Sequence, residues 1–258
     1  MLHVTPVPAF RDNYIWAIQD SEPNNRSVVL VDPGEPSAIL AWLADHDARP
    51  VAVLVTHHHN DHTGALPALT RYGPIPVYGP KRENIAGVTH PVGEQCRVAI
   101  PELGITFDVL ETPGHTRGHV CYYGQGWLFA GDTLFSCGCG RLFEGSAEQM
   151  YDSLQRLARL PPDTRLYCAH EYTLPNIGFA REAEPDNTAL EEHYRQARAL
   201  RKAGLPTLPS SIGLELAINP FLRCHETTVS VAISQHDGLP QQAGSAAFAR
   251  LRRWKDSY

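Results

Sequence analysis

The sequence predicts an α/β layered domain followed by a smaller, mainly helical one, and three observations lead there. Short β-branched runs alternate with helical patterns and Gly/Pro punctuation over the first two thirds of the chain. After about Glu171 the strand signals thin out and helical spacing dominates. The length, 258 residues, allows one or two domains at roughly 150 residues each and can bury a large core. The boundary is placed at 170/171, giving domains 1–170 and 171–258.

Taken in order, the strand-like runs include residues 14–18, 28–31, 51–55, 105–110, 120–123, 127–130 and 165–168. A helix follows Ser37, with Ile39, Leu40 and Leu43 on its apolar side. Another begins where the chain bends at Gly64 and Ala65. A third follows Ser146, where Gln149 completes a capping-box pattern and Met150, Leu154 and Leu157 recur at helical spacing; Pro161-Pro162 stops it. Beyond Glu171, Leu190, Tyr194 and Ala197 share one helical face. Pro206 and Pro209 mark a loop, and residues 246–255 form a short basic helix.

Composition excludes several classes. Hydrophobic residues at 43% and charged residues at 19% rule out disorder as the default. Lys+Arg 22 against Asp+Glu 28 gives a net charge of −6, which argues against nucleic-acid binding through a basic surface. No apolar run approaches the roughly 18 residues needed to span a bilayer, and no secretory signal is evident. The 6 cysteines are too sparse for a disulfide scaffold, and Cys137 and Cys139 are poorly placed to bridge each other. Reduced thiols in a cytoplasm are expected.

Histidine is abundant, at 13 residues. The densest group is Thr56-His57-His58-His59-Asn60-Asp61-His62, directly after the apolar run 51–55. In extended chain, residues two apart point the same way, so His57 and His59 can converge on one cation while His58 points elsewhere. Asp61 and His62 can meet a second cation. An affinity-tag-like tract would not sit behind a buried strand with an aspartate interposed. Three further apolar runs end in potential ligands: His115 after Thr112-Pro113-Gly114, Asp132 after Gly131, and His170 after Ala169. Ligands of open α/β sheets bind beyond the carboxyl ends of strands, so these groups can gather at one edge. Imidazole with carboxylate suits Zn, Fe or Mn. His119 reads as structural, and His3, His46, His90, His193, His225 and His236 show no ligand grouping.

The pattern HxHxDH, PGHTxGH, GDTLF and AHEYT resembles the metallo-β-lactamase superfamily. The stretch FSCGCGRLFEG at 135–145, with NPFLR at 219–223, resembles the glyoxalase II (hydroxyacylglutathione hydrolase) family in particular, and the likeness runs from PAFRDNYIW to the terminal RRWKD. The resemblance implies an αββα sandwich followed by a helical, glutathione-binding domain. It implies two divalent metal ions, zinc foremost with iron or manganese as alternatives. His57, His59 and His115 would hold one, Asp61, His62 and His170 the other, and Asp132 would bridge them. It further implies hydrolysis of S-(2-hydroxyacyl)glutathione, typically S-D-lactoylglutathione, by a metal-bridging hydroxide oriented by Asp61 and Asp132. That activity belongs to methylglyoxal detoxification. The matching glutathione positions are Arg141, Phe143, Tyr172, Arg252 and Lys255, with the register between Arg252 and Arg253 left open.

Some relatives carry Lys and Tyr where this chain has Arg141 and Phe143, and many have a second Gly at Ala65. Arg replaces the charge with a different geometry, and Phe cannot hydrogen-bond. A leaving thiol with a pKa of roughly 8.5 needs little acid help, so no Ser or Cys nucleophile is required, and Cys137 and Cys139 read as loop packing. A glutathione thioester is the expected partner, with the chain acting as a monomer. The alternatives are a mononuclear iron persulfide dioxygenase on the same fold and a non-enzymatic metal-binding module.

Overall fold

Where apolar residues run without interruption, the chain forms strands buried on both faces. The structure, a computed structural model, describes residues 1–22 and 25–258, which divide into two units: Met1–Glu111 with Gly118–Gly131, and Thr112–Arg117 with Asp132–Tyr258.

The first unit opens with β1 (Leu2–Ala9), β2 (Asn13–Asp20) and β3 (Ser27–Val31), followed by α1 (Pro36–Asp45) and β4 (Arg49–Leu54). Short helices α2 (Asn60–Thr63) and α3 (Leu66–Leu69) precede β5 (Val77–Pro80) and β6 (His90–Val92). These strands form one sheet in the order β1-β2-β3-β4-β5-β6. Pairing is antiparallel from β1 to β3 and parallel from β3 to β6. The change of direction follows from α1, which crosses over between β3 and β4 as parallel neighbours require. Ile39 and Leu43, one helical turn apart on α1, join Val7, Ile15, Leu30 and Val53 in a single core.

The strand-like runs picked out in the sequence start at residue 14, and the structure adds β1, which pairs with β2 along its length. Its prolines, Pro6 and Pro8, stand two apart on an edge strand, where the missing N–H groups face away from the partner. The helix expected to start at Gly64 and Ala65 is instead two short helices broken there, and Asp61 and His62 lie inside α2.

The same unit contains β7 (Arg97–Ile100), β8 (Ile105–Glu111), β9 (Val120–Gly124) and β10 (Trp127–Gly131), antiparallel neighbours in a second sheet. The Tyr122 hydroxyl of β9 donates to the Val55 carbonyl at 2.9 Å, and Val120 N–H donates to Thr56 O at 2.9 Å. These bonds tie the second sheet to the end of β4, where the histidine tract begins.

The second unit starts from Thr112–Arg117 and resumes with the hairpin β11 (Leu134–Phe135) and β12 (Gly138–Cys139). Then come α4 (Ala147–Leu157), β13 (Arg165–Cys168), α5 (Thr173–Ala183), α6 (Thr188–Lys202), β14 (Ser210–Ser211) and α7 (Ile212–Ile218). It ends with α8 (Thr227–Asp237) and α9 (Gly244–Ser257). The capping box of α4 forms as expected: Ser146 Oγ accepts from Gln149 N–H at 3.2 Å, and Gln149 Oε1 accepts from Ser146 N–H at 2.9 Å. Met150, Leu154 and Leu157 face inward. Ile177, Leu190, Ala197 and Ile218 join α5, α6 and α7 around a common core. Among the described residues, no helix is long and apolar enough to cross a membrane.

Candidate metal centre and substrate cavity

Each unit gathers part of the expected ligand set. In the first, the chain leaves β4 extended, and His57 Nε2 comes within 3.0 Å of His59 Nδ1. His58, the alternate residue, turns away to Glu83 at 2.9 Å. On α2, Asp61 Oδ2 lies 3.5 Å from His62 Nε2 and accepts a hydrogen bond from Asn13 Nδ2 at 3.0 Å. In the second unit, Asp132 offers one oxygen to each of two imidazoles. Oδ1 lies 3.3 Å from His170 Nε2, and Oδ2 lies 3.4 Å from His115 Nε2.

These spacings fit metal ligation. Two donors on one tetrahedral ion at roughly 2.05 Å would stand about 3.3 Å apart. The four pairs within the units lie between 3.0 and 3.5 Å. The imidazoles of His57, His62, His115 and His170 are buried, so a charged ring there would be costly without a partner.

Outer partners set the tautomers. His115 Nδ1 donates to the Arg141 carbonyl at 2.9 Å, leaving the Nε2 lone pair for a ligand. Asp32 performs the same task in the first unit. Its Oδ2 lies 3.0 Å from His62 Nδ1 and accepts the Thr56 hydroxyl at 2.8 Å, while Oδ1 accepts Thr56 N–H at 2.8 Å. Thr56 Oγ1 in turn lies 3.0 Å from His57 Nδ1. Gly34 permits this packing, because a Cβ there would come within 1.7 Å of the Asp61 carbonyl oxygen. Asp32 and Asn13 escaped the sequence reading. Asp32 stands at the carboxyl end of a strand, as the predicted ligands do, and that placement could have found it. Asp32→Ala is expected to lower metal affinity about 10–100-fold, measured by competition with a chromophoric chelator.

The second unit also holds a cavity of about 470 Å³. His115, Asp132, Phe143 and Tyr172 line it, and so do the cations Arg141, Arg252 and Lys255. On the last helix, Arg252 is buried in the cavity wall while Arg253 is exposed. Arg252 Nη1 donates to Cys139 O at 3.0 Å, Nη2 pairs with Asp256 at 3.0 Å, and the guanidinium lies 4.9 Å from the Phe221 ring centre. Tyr172 stacks on His170 with ring centres 4.6 Å apart, and Phe143 meets His115 edge-on at 5.2 Å.

Burial, with the neighbouring Arg252 and Arg141 charges, pulls the Lys255 ammonium down to a pKa of about 8. Its positive charge is present below that value and is lost as pH rises through it. Affinity for an anionic ligand is therefore expected to fall above about pH 8, a step that Lys255→Met removes in a glutathione titration across pH. Burial raises the Cys137 thiol and pushes Cys139 up to about 11, so both stay neutral near pH 7 and serve as packing, not as nucleophiles.

The fold and these ligand groups define a metallo-β-lactamase superfamily protein. The family model described as "Metallo-beta-lactamase superfamily" matches residues 10–95 and 97–170. A second, "Hydroxyacylglutathione hydrolase C-terminus", matches residues 171–258. The hydroxyacylglutathione hydrolase of Nitrosomonas eutropha is 49% identical over 258 residues, covering 100% of both chains. That of Nitrosomonas europaea is 47% identical, covering 100% of this chain and 97% of the relative. Among solved structures, ETHE1 from Myxococcus xanthus aligns with a TM-score of 0.65 at 25% identity, covering 99% of each chain. This chain belongs to the hydroxyacylglutathione hydrolase family, and the family and fold class expected from its sequence both hold.

Proposed function

We propose that the protein hydrolyses S-(2-hydroxyacyl)glutathione, typically S-D-lactoylglutathione, to a 2-hydroxy carboxylate and glutathione. The observation that carries this reading is one cavity in which His115 and Asp132 sit with Arg141, Arg252 and Lys255. Metal-ligating groups thus stand beside cations suited to a tripeptide with two carboxylates. The curated relatives, matched over 97–100% of their length, bear the name of this activity.

In this reading His57, His59 and His115 hold one divalent ion, Asp61, His62 and His170 hold a second, and Asp132 serves both. Ions held there would supply a Lewis acid and lower the pKa of bound water towards ~7. The chain's own groups do the rest. Asp132 and Asp61, the latter steadied by Asn13, orient the attacking hydroxide. Arg252, Lys255 and Arg141 neutralise the glutathione carboxylates, and Phe143 and Tyr172 line the same cavity as further glutathione contacts. The thiolate leaves without a dedicated acid, its pKa being roughly 8.5. Residues 171–258 form the glutathione-binding domain, zinc is the foremost metal, and the enzyme works as a cytoplasmic monomer.

The test is loss of thioester absorbance when metal-loaded protein meets S-D-lactoylglutathione. Turnover supports the proposal. An intact thioester, with cleavage of another ester class or oxygen uptake instead, overturns it.

A further inference from the structure

Behind the cavity wall lies a buried carboxylate that the proposed reaction does not use. Residues 135–138 turn between β11 and β12, and Cys137 has a φ of 56°, a left-handed conformation in a residue that carries a side chain. Such backbone persists where its surroundings fix it. Side chains of α7 and α5 provide the hold. Glu215 Oε2 accepts Cys137 N–H at 2.7 Å. Asn219, one turn further on, donates from Nδ2 towards Phe135 O at 3.1 Å, Gly138 O at 3.0 Å and Glu215 itself at 3.0 Å. Asn176 donates to Ser136 O at 3.0 Å. The Ser210 hydroxyl donates to the other Glu215 oxygen, and the Glu215 side chain is fully buried.

The segment fixed in this way runs straight into the site. Cys139 O receives Arg252 Nη1, and Arg141 O receives His115 Nδ1. Two carbonyls only two residues apart therefore seat a substrate cation and orient a metal ligand. We propose that Glu215, with Asn219, is a positioning residue that sets residues 135–141 and through them the Arg252 guanidinium and the His115 ring. The inference rests on reading this cavity as a metal and glutathione site.

Glutamine at 215 keeps an acceptor for Cys137 N–H, and Ser210 can reverse its hydroxyl to accept from the new amide. Alanine keeps neither. The full-length metal-free chain is titrated with glutathione by calorimetry and with zinc against a chromophoric chelator. For E215A the expected result is about tenfold weaker glutathione binding and zinc affinity lowered about 10–100-fold. E215Q is expected to restore both to within about threefold, a rescue that a general loss of stability would not track. A folded E215A with both affinities within about twofold of wild type overturns the proposal. If near-ultraviolet circular dichroism shows E215A unfolded, G138A carries the same two outcomes, since its Cβ would come within 2.5 Å of the Asn176 amide nitrogen and disturb the hydrogen bond by which Asn176 holds Ser136 O. Wild-type protein that binds zinc but not glutathione would sink the proposed function alone, and the zinc titration would still decide the role of Glu215.

Discussion

Asp132→Ala is expected to abolish stable binding of both metals and to lower kcat by about 10³-fold or more, since a Lewis-acid contribution is worth several kcal/mol at about 1.4 kcal/mol per decade. The reason is geometric. Asp132 is the residue whose two carboxylate oxygens face two different imidazoles, 3.3 Å from His170 and 3.4 Å from His115. Removing it leaves both rings without their shared anion. Asp132→Asn keeps the shape and loses the charge, so it is expected to fall between wild type and alanine in metal content. Elemental analysis with steady-state kinetics on the same preparations checks both.

Arg252→Ala carries the second large effect. The guanidinium is buried and held by Cys139 O, Asp256 and the Phe221 face, so its position is fixed before any ligand arrives. A charge-assisted hydrogen bond to a carboxylate contributes about 1.5–3 kcal/mol, which corresponds to a KM about 10–100-fold higher. In the proposed reading the contact is with the glutathione arm, in ground and transition states alike, so kcat should stay within a few-fold. Arg252→Lys is expected to recover little, because an ammonium cannot reproduce the planar fork. Arg253→Ala, on the exposed face, should leave both parameters unchanged and serves as the control.

The candidate site was more legible in the sequence than its support. His57, His59, His115, Asp132 and His170 announced themselves because each follows an apolar run, where strand ends collect ligands. Asp32 obeys the same rule, but Pro33-Gly34 behind it makes a turn residue the ready explanation. Strand β1 was hidden by Pro6 and Pro8, which lower strand propensity without forbidding an edge strand. The break between α2 and α3 was not legible, since at the break Ala65 N–H donates to Pro33 O at 3.0 Å, a contact with a distant turn of which composition carries no trace. Glu215 was invisible for a related reason: its partner Cys137 is 78 residues away in the chain. Periodicity reports which face an element buries, but not which distant backbone a buried carboxylate holds. The NPFLR stretch could therefore be matched to a family without revealing why its asparagine is needed.

Metal stoichiometry and thioester turnover, determined on a single purified sample, test whether this chain is a two-metal thioesterase. Two divalent ions per chain, together with hydrolysis of S-D-lactoylglutathione that consumes no oxygen, are the expected result. One iron per chain with oxygen uptake, or a fully metal-loaded protein that leaves the thioester intact, would contradict it.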